Sequence, residues 1–241
     1  MGKTAIAWCD YSLNFIKWFC SRISPGCKNC YMYEMSGRFP ANAADHPIWR
    51  EGAVNELRKI PAGAFVFIGD MYDQYHEEIP DDWIQRVHNF AHERSDLYFL
   101  LLTKRIKRVV QLAPRLIWPK NLWLGVTVEN ADYAWRIDYL RQLPAAVKFI
   151  SFEPLLADIG NIDLVGIDWA IVGAESGRNR RLFDKQWARN LRANCRRDNV
   201  AFFYKQSSAA RPGYDPFLDG RQYYEFPITR PLKYRALTSD K

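Results

Sequence analysis

The sequence predicts an α/β protein built on a parallel (β/α) TIM-type barrel, full or partial, with a cysteine-bearing loop after its first strand. Three observations carry that expectation. Seven short apolar runs recur along the 241 residues. None shows the polar alternation of a half-exposed strand, as expected of parallel strands covered on both faces. Amphipathic stretches of helical period separate several of the runs. Polar residues collect at the end of the runs, where βα folds place their chemistry. A doubly wound sheet is the competing architecture. No G-x-G-x-x-G follows the first run, which weakens its dinucleotide-binding version.

The expected strands, in order, are residues 4–8, 65–68, 98–102, 122–126, 148–151, 169–172 and 201–204. Segment 81–94 opens on Asp81 as a cap and sets Trp83, Val87, Phe90 and Ala91 on one face. Segments 130–143 and 184–197 behave alike, the latter with Trp187, Leu191 and Cys195 at helical spacing. Segment 9–60 breaks the alternation. It holds a cysteine cluster, a helix from Tyr31 and an irregular stretch with Pro40 and Pro47. A segment of that length inside a compact domain is usually functional. Beyond Gln206, Pro212, Pro216, Pro227 and Pro231 predict an irregular wrap. The expected domains are therefore a barrel over 1–206, with its cluster loop at 9–60, and an extension over 207–241 packed on it.

Apolar residues make up 48 % of the chain, enough for a sizeable core. No run approaches ~18 consecutive apolar residues, so no membrane span or membrane partner is expected. The start, MGKTAIAW, runs into Cys9 and Asp10 without a secretory apolar region. Five cysteines (9, 20, 27, 30 and 195) leave one over in any disulfide scheme. The expectation is a reduced, cytoplasmic protein. The net charge of +7 is uneven. Residues 176–241 hold 15 basic and 6 acidic side chains, whereas the first 175 residues hold 19 and 21.

The cysteine cluster reads C-x6-C-x2-C, with Cys20, Cys27 and Cys30 inside eleven residues. Pro25-Gly26 supplies a turn between the first two. Three thiolates suit a metal or an Fe–S cluster. A closed zinc site wants four ligands, and no histidine is near; Cys9 is the one candidate for a fourth. A [4Fe–4S] cluster on three thiolates leaves one iron open, where S-adenosylmethionine can bind through its amino and carboxylate groups. Reduced, partly buried cysteines and a zinc knot completed by Cys9 remain the alternatives.

The sequence resembles the phage Gp37/Gp68-like family, a three-cysteine-motif domain of unknown function of the DUF5131 type, itself similar to a divergent radical SAM family. The matching pieces are AIAW at 5–8, Asn14, ISPGCKNCY at 23–31, MYD at 71–73 with His76-Glu77, LLTKR at 101–105, LWLGVTVEN at 122–130, SFEPL at 151–155, VGAESG at 172–177 and FYKQ at 203–206. They run along most of the chain. The radical SAM superfamily commonly spaces its cysteines C-x3-C-x2-C with an aromatic before the last; here the first gap is longer and Asn29 stands before Cys30. Leu13 and Phe15 stand where the family tends to have Trp and Pro. The resemblance implies a radical S-adenosylmethionine enzyme. It would cleave that cofactor reductively to a 5′-deoxyadenosyl radical, with electrons from a donor such as flavodoxin or ferredoxin.

The strand ends carry Gly69-Asp70 with Asp73, then Thr103-Lys104-Arg105, Thr127 with Glu129-Asn130, Ser151 with Glu153, Gly173 with Glu175-Ser176, and Lys205-Gln206. Any one of these could be a helix cap, but six sets at one rim suggest a site. The resemblance implies that the backbone at Gly69, Asp70 and Met71 receives the cofactor's ammonium. Glu129 and Asn130 suit ribose hydroxyls, Thr127 and Ser151 line the same rim, and Gly173 permits close approach, here to the adenine. Glu153, Glu175 and Lys205 are left for substrate or proton handling, as catalytic candidates. His76 reads more readily as structural.

Arg178, Arg180 and Arg181 follow the sixth run, and Arg189, Arg192 and Arg196 form a helical stripe. Arginine forks suit phosphate, so a nucleic-acid or nucleotide substrate is the expectation, against a solvated face. Two other functions stay open. One is a barrel hydrolase using Glu153 and Glu175. The other is a non-catalytic zinc-stabilised nucleic-acid-binding module.

Overall fold

Six of the seven apolar runs form strands, and the first strand of the sheet lies outside the remaining run. The computed structural model describes residues 3–228. The strands are β1 (Tyr11–Leu13), β2 (Phe65–Ile68), β3 (Tyr98–Thr103), β4 (Leu122–Thr127), β5 (Val147–Phe152), β6 (Trp169–Gly173) and β7 (Ala201–Gln206). They follow the order β1-β2-β3-β4-β5-β6-β7 in the sheet. The pairs β1–β2, β2–β3, β5–β6 and β6–β7 are parallel. Doubly wound sheets reverse their strand order at a switch point. This sequential order has no such reversal, so the class is α/β with a sequentially ordered sheet.

The helices are α1 (Tyr31–Arg38), α2 (Glu51–Arg58), α3 (Asp81–Glu93), α4 (Ile106–Leu112), α5 (Trp135–Arg141) and α6 (Lys185–Asp198). Among the described residues no helix is long and apolar enough to cross a membrane. By contacts the described chain divides into two compact units. The first holds residues 3–4, 9–124 and 142–146; the second holds 5–8, 125–141 and 147–228.

Residues 4–8 do not supply the expected first strand. Strand β1 starts only at Tyr11. Asp10 donates its backbone N–H to the Phe65 carbonyl at 2.8 Å, and its carboxylate accepts the Phe65 N–H at 2.8 Å. Pairing with β2 thus begins after Asp10, and Cys9 precedes the strand. Phe65 packs on Tyr98 (4.6 Å, stacked) and edge-on to Trp123 (5.1 Å). Helix α3 buries Ile84, Val87, His88 and Ala91 along one face, and Pro80 rather than Asp81 occupies its cap position. Two short helices escape the periodicity argument. Helix α2 buries only Ala53 and Leu57, and α4 buries Ile106, Val109 and Leu112. Both lie at the short end of the range in which a repeating pattern can be read.

In the second unit, Trp8 is buried edge-on against Trp169 and tilted on Phe149, each at 6.3 Å. Segment 130–143 is not one helix; a 3-10 turn at Ala131–Tyr133 leads into α5. Helix α6 agrees with its pattern. Asp184 caps it by accepting the Gln186 N–H at 2.8 Å, and Asn199 ends it in the left-handed region at φ 56°. Residues beyond β7 return along it. Tyr204 donates to Tyr223 O at 2.8 Å and Glu225 to Phe202 O at 3.2 Å. Phe226 packs on Trp169 at 5.0 Å. Pro231 and the rest of 229–241 lie outside the described residues.

Candidate functional site

The first unit carries the cysteine loop. Phe19 bridges Tyr72, which brings the loop beside the end of β2. Pro25–Cys27 forms a 3-10 turn, and Cys30 then occupies the N-cap position of α1. Two side chains fasten the loop on itself. Tyr33 donates its hydroxyl to the Cys20 carbonyl at 3.0 Å. Arg22 donates Nε to the Cys27 carbonyl at 3.3 Å, with its guanidinium 4.0 Å from the Tyr33 ring centre. Cys20, Cys27 and Cys30 are thiols outside any disulfide. Their charges act on one another, Cys30 on Cys20 and Cys27 on Cys30. Among the described residues, no three His, Cys, Asp or Glu side chains form a group that could hold a metal ion.

Their electrostatics differ. Burial raises the Cys20 thiol to about 11, with Asp73 adding to the rise and Arg105 opposing it. Burial also raises Cys30, against the Met32 amide and the Lys104 ammonium. At Cys27 burial is outweighed by Lys104 and by hydrogen bonds from Ile23 and Ser24, so this thiol lies below its ordinary value. A lowered value means thiolate forms at lower pH. In metal-free protein, alkylation followed peptide by peptide is therefore expected to reach half its maximal rate at lower pH for Cys27 than for Cys20. Coincident pH profiles would contradict these surroundings.

Arg105, at the end of β3, is the hub beside the loop. It is 5 % exposed. Its Nε donates to Glu77 Oε2 at 2.7 Å, and one terminal nitrogen to Asp73 Oδ2 at 3.2 Å. The other donates to Ser21 Oγ at 2.7 Å and Ser21 O at 3.3 Å. Its nearest approach to Cys20 Sγ is 4.0 Å. Asp73 also accepts from Thr103 Oγ1 at 2.7 Å and from the amides of Tyr75 and Lys104 at 3.0 Å each. His76 is held below its ordinary value by burial and by Arg105. Its Nδ1 accepts the Glu78 N–H at 3.2 Å, so Nε2 carries the proton and donates to Ser21 Oγ at 2.7 Å. Both ring nitrogens of His76 are thus held by hydrogen bonds. Arg105 entered the sequence analysis only as one of the polar strand ends, in the LLTKR piece, and Ser21 not at all; Ser21 lies outside every matching piece.

Gly69, Asp70 and Met71 form the turn after β2. Gly69 has φ 80°, and a Cβ there would lie 3.0 Å from Tyr72 O. Asn14 clamps the turn: Nδ2 donates to Asp70 Oδ1 at 2.7 Å and Oδ1 accepts the Met71 N–H at 3.2 Å. Burial pushes the Asp70 carboxyl up, against hydrogen bonds from Asn14 and Ser12. The Tyr31 hydroxyl donates to the Asp70 carbonyl.

The second unit carries the remaining candidates, and it joins some of them. Glu153, after β5, pairs with Lys205 on β7 at 2.9 Å, and Ser151 Oγ donates to Glu153 Oε2 at 3.4 Å. Between those strands stands β6, whose Gly173 makes the reach possible. A Cβ on Gly173 would lie 2.6 Å from Glu153 Oε1. The close approach expected for adenine is taken by this carboxylate. Glu175 stands apart, bound by the Arg181 guanidinium through Nε at 3.0 Å and a second nitrogen, and by the Arg181 amide at 2.8 Å. Arg181 is therefore turned to Glu175, whereas Arg178 and Arg180 are exposed. Glu129 is wholly buried and takes an Arg136 nitrogen at 2.9 Å, which also reaches Thr127 O at 2.7 Å. Asn130 donates to Asp132 Oδ2 at 3.3 Å, while its Oδ1 is buried without a hydrogen-bond partner.

The sequence profile of a family described as proteins of unknown function, DUF5131, matches residues 3–227. No curated protein and no solved structure matches the chain.

Proposed function

This chain belongs to the DUF5131 family, whose function is unknown, and we propose that it is a radical S-adenosylmethionine enzyme that holds a [4Fe–4S] cluster on Cys20, Cys27 and Cys30. The observation that carries the reading is one loop bearing three thiols, fastened at Cys20 and Cys27, with Lys104 acting on two of them and Arg105 on the third. Three thiolates are the donor type that such a cluster takes. A cubane takes each thiolate on a separate iron, so its ligands need not share the geometry of a single ion. The cationic neighbours offset the charge of three thiolates. When bound, the cluster supplies the electron, drawn from a donor such as flavodoxin or ferredoxin, for reductive cleavage of S-adenosylmethionine.

The chain's own residues have separate tasks. The Asn14 clamp orients the Gly69–Met71 turn to receive the cofactor's ammonium. The Glu129–Arg136 pair stiffens the end of β4 around Thr127 and Asn130. Glu153 and Lys205 share a proton-handling position beside Ser151. Arg178 and Arg180 receive the phosphates of a nucleic-acid or nucleotide substrate. The sequential strand order supports taking the sheet as part of a (β/α) barrel. The hydrolase reading loses its second carboxylate, because Glu175 is committed to Arg181.

Anaerobic reconstitution with iron and sulfide tests the reading. A brown protein with broad absorbance near about 400 nm, forming 5′-deoxyadenosine with reductant and cofactor, is the expected result. A colourless protein that retains zinc would replace the enzyme with a zinc-stabilised binding module.

A further inference from the structure

Two loops of the second unit are joined side by side, and together they present an unusual surface. Ser176, after β6, bridges Ala209, after β7. Gly177 donates its N–H to Ala209 O at 3.1 Å, and Ser208 Oγ donates to Arg181 O at 3.2 Å. Farther along, Gly213 donates to Gln206 Oε1 at 2.6 Å and Ser207 to Asp215 O at 3.1 Å. Lys185 then ties down the end of the second loop, through Asp215 Oδ2 at 2.8 Å and Phe217 O at 3.0 Å. The two loops are one braced platform.

Its exposed side chains include cations and rings. Arg178, Arg180 and Arg211 are exposed and make no ion pair among the described residues; Arg180 donates only to Gly177 O, at 3.1 Å. Tyr214 is 66 % exposed and Phe217 42 %. A single exposed ring is ordinary on a protein surface. Two exposed rings and three guanidinium groups with no ion pair among the described residues, carried on loops joined by hydrogen bonds, match what single-stranded nucleic acid requires. Guanidinium forks take phosphates, and ring faces take unpaired bases. A duplex keeps its base faces stacked inside and offers the rings nothing.

We infer that the joined loops 176–182 and 207–217 form a binding platform for single-stranded nucleic acid, in which Arg178, Arg180 and Arg211 contact phosphates and Tyr214 and Phe217 stack on bases. The inference deepens the proposed substrate class and rests on that part of the reading, but it does not need the cluster.

The test is fluorescence anisotropy of the full chain, metal-free and reconstituted, with a labelled single strand of about 12 nucleotides and with its duplex. The single strand should bind more tightly. Tyr214→Ala and Phe217→Ala should each weaken it about 5- to 100-fold with an unchanged salt slope. Arg178→Ala and Arg211→Ala should each flatten the log–log salt slope by about 0.7. Thermal midpoints should not move, since these side chains support no core. Equal affinity for strand and duplex, or indifference to both ring substitutions, overturns the platform. No salt-dependent binding by the unaltered protein overturns both the platform and the nucleic-acid substrate, as does concentration-dependent self-association through this face without oligonucleotide binding. Strand binding by a chain that takes up no iron leaves the platform standing and removes the radical chemistry alone.

Discussion

Cys27→Ala is expected to abolish cluster uptake, leaving a reconstituted protein with background iron and sulfide and no absorbance near about 400 nm. The expectation follows from how the residue is held. The backbone of the Pro25–Cys27 turn keeps its own hydrogen bonds, Cys27 N–H to Ser24 O at 3.0 Å and Cys30 N–H to Cys27 O at 3.4 Å. Neither needs the sulfur. Arg22 grips the Cys27 carbonyl, again not the thiol. The substitution thus removes a ligand and leaves the loop's scaffold in place. Cys20→Ala and Cys30→Ala should behave alike. Cys195→Ala is the control, because that thiol is fully buried on the inward face of α6, in the other unit, and its value is raised to about 12 by burial and by Glu225. It should retain full iron and sulfide. A Cys27→Ala protein that binds iron at the level of the unaltered chain would remove the three-cysteine assignment.

Arg136→Ala should cost about 3–5 kcal/mol of folding stability, the effect of leaving one member of a buried ion pair without its partner. Glu129 is 0 % exposed and Arg136 1 %. Water cannot replace the guanidinium there, and the Thr127 carbonyl loses a donor as well. The guanidinium also lies 4.4 Å from the Tyr133 ring centre, so its removal takes away packing along with charge. The double replacement Arg136→Met with Glu129→Leu should recover most of the loss, since buried pairs exchanged for apolar residues of similar volume are often neutral. Urea unfolding of Arg136→Met, Glu129→Leu and the double variant measures the coupling. A loss below about 1 kcal/mol for Arg136→Ala, the worth of a surface pair, would show that the pair is solvated after all.

Much of this organisation was legible in residue order. The continuous apolar runs of β2, β4 and β6 are buried at every position, which is why they lacked alternation. Helices α3 and α6 are 13 and 14 residues long, enough for a face to repeat. The cysteines, the turn at Pro25 and the helix from Tyr31 could be read from local chemistry, since spacing along the chain governs how close they come. Strand β1 could not. Its start depends on Asp10 meeting Phe65, a residue on another strand.

Partner choice among charged groups lay wholly beyond the sequence. Polar side chains after the strands were visible as a set, but not that Arg105 binds Ser21, Asp73 and Glu77, nor that Arg181 turns to Glu175. Nor could residue order show that Gly173 is bare so that Glu153 can cross β6 to Lys205. Local sequence determined the α/β class, the place of the cysteine loop and the polar residues after the strands, because propensity, periodicity and turn chemistry act over a few residues. Only the tertiary structure decided which carboxylate meets which cation, because Coulomb attraction and hydrogen bonding depend on distance through space, and that distance is set by how strands far apart in the chain pack together.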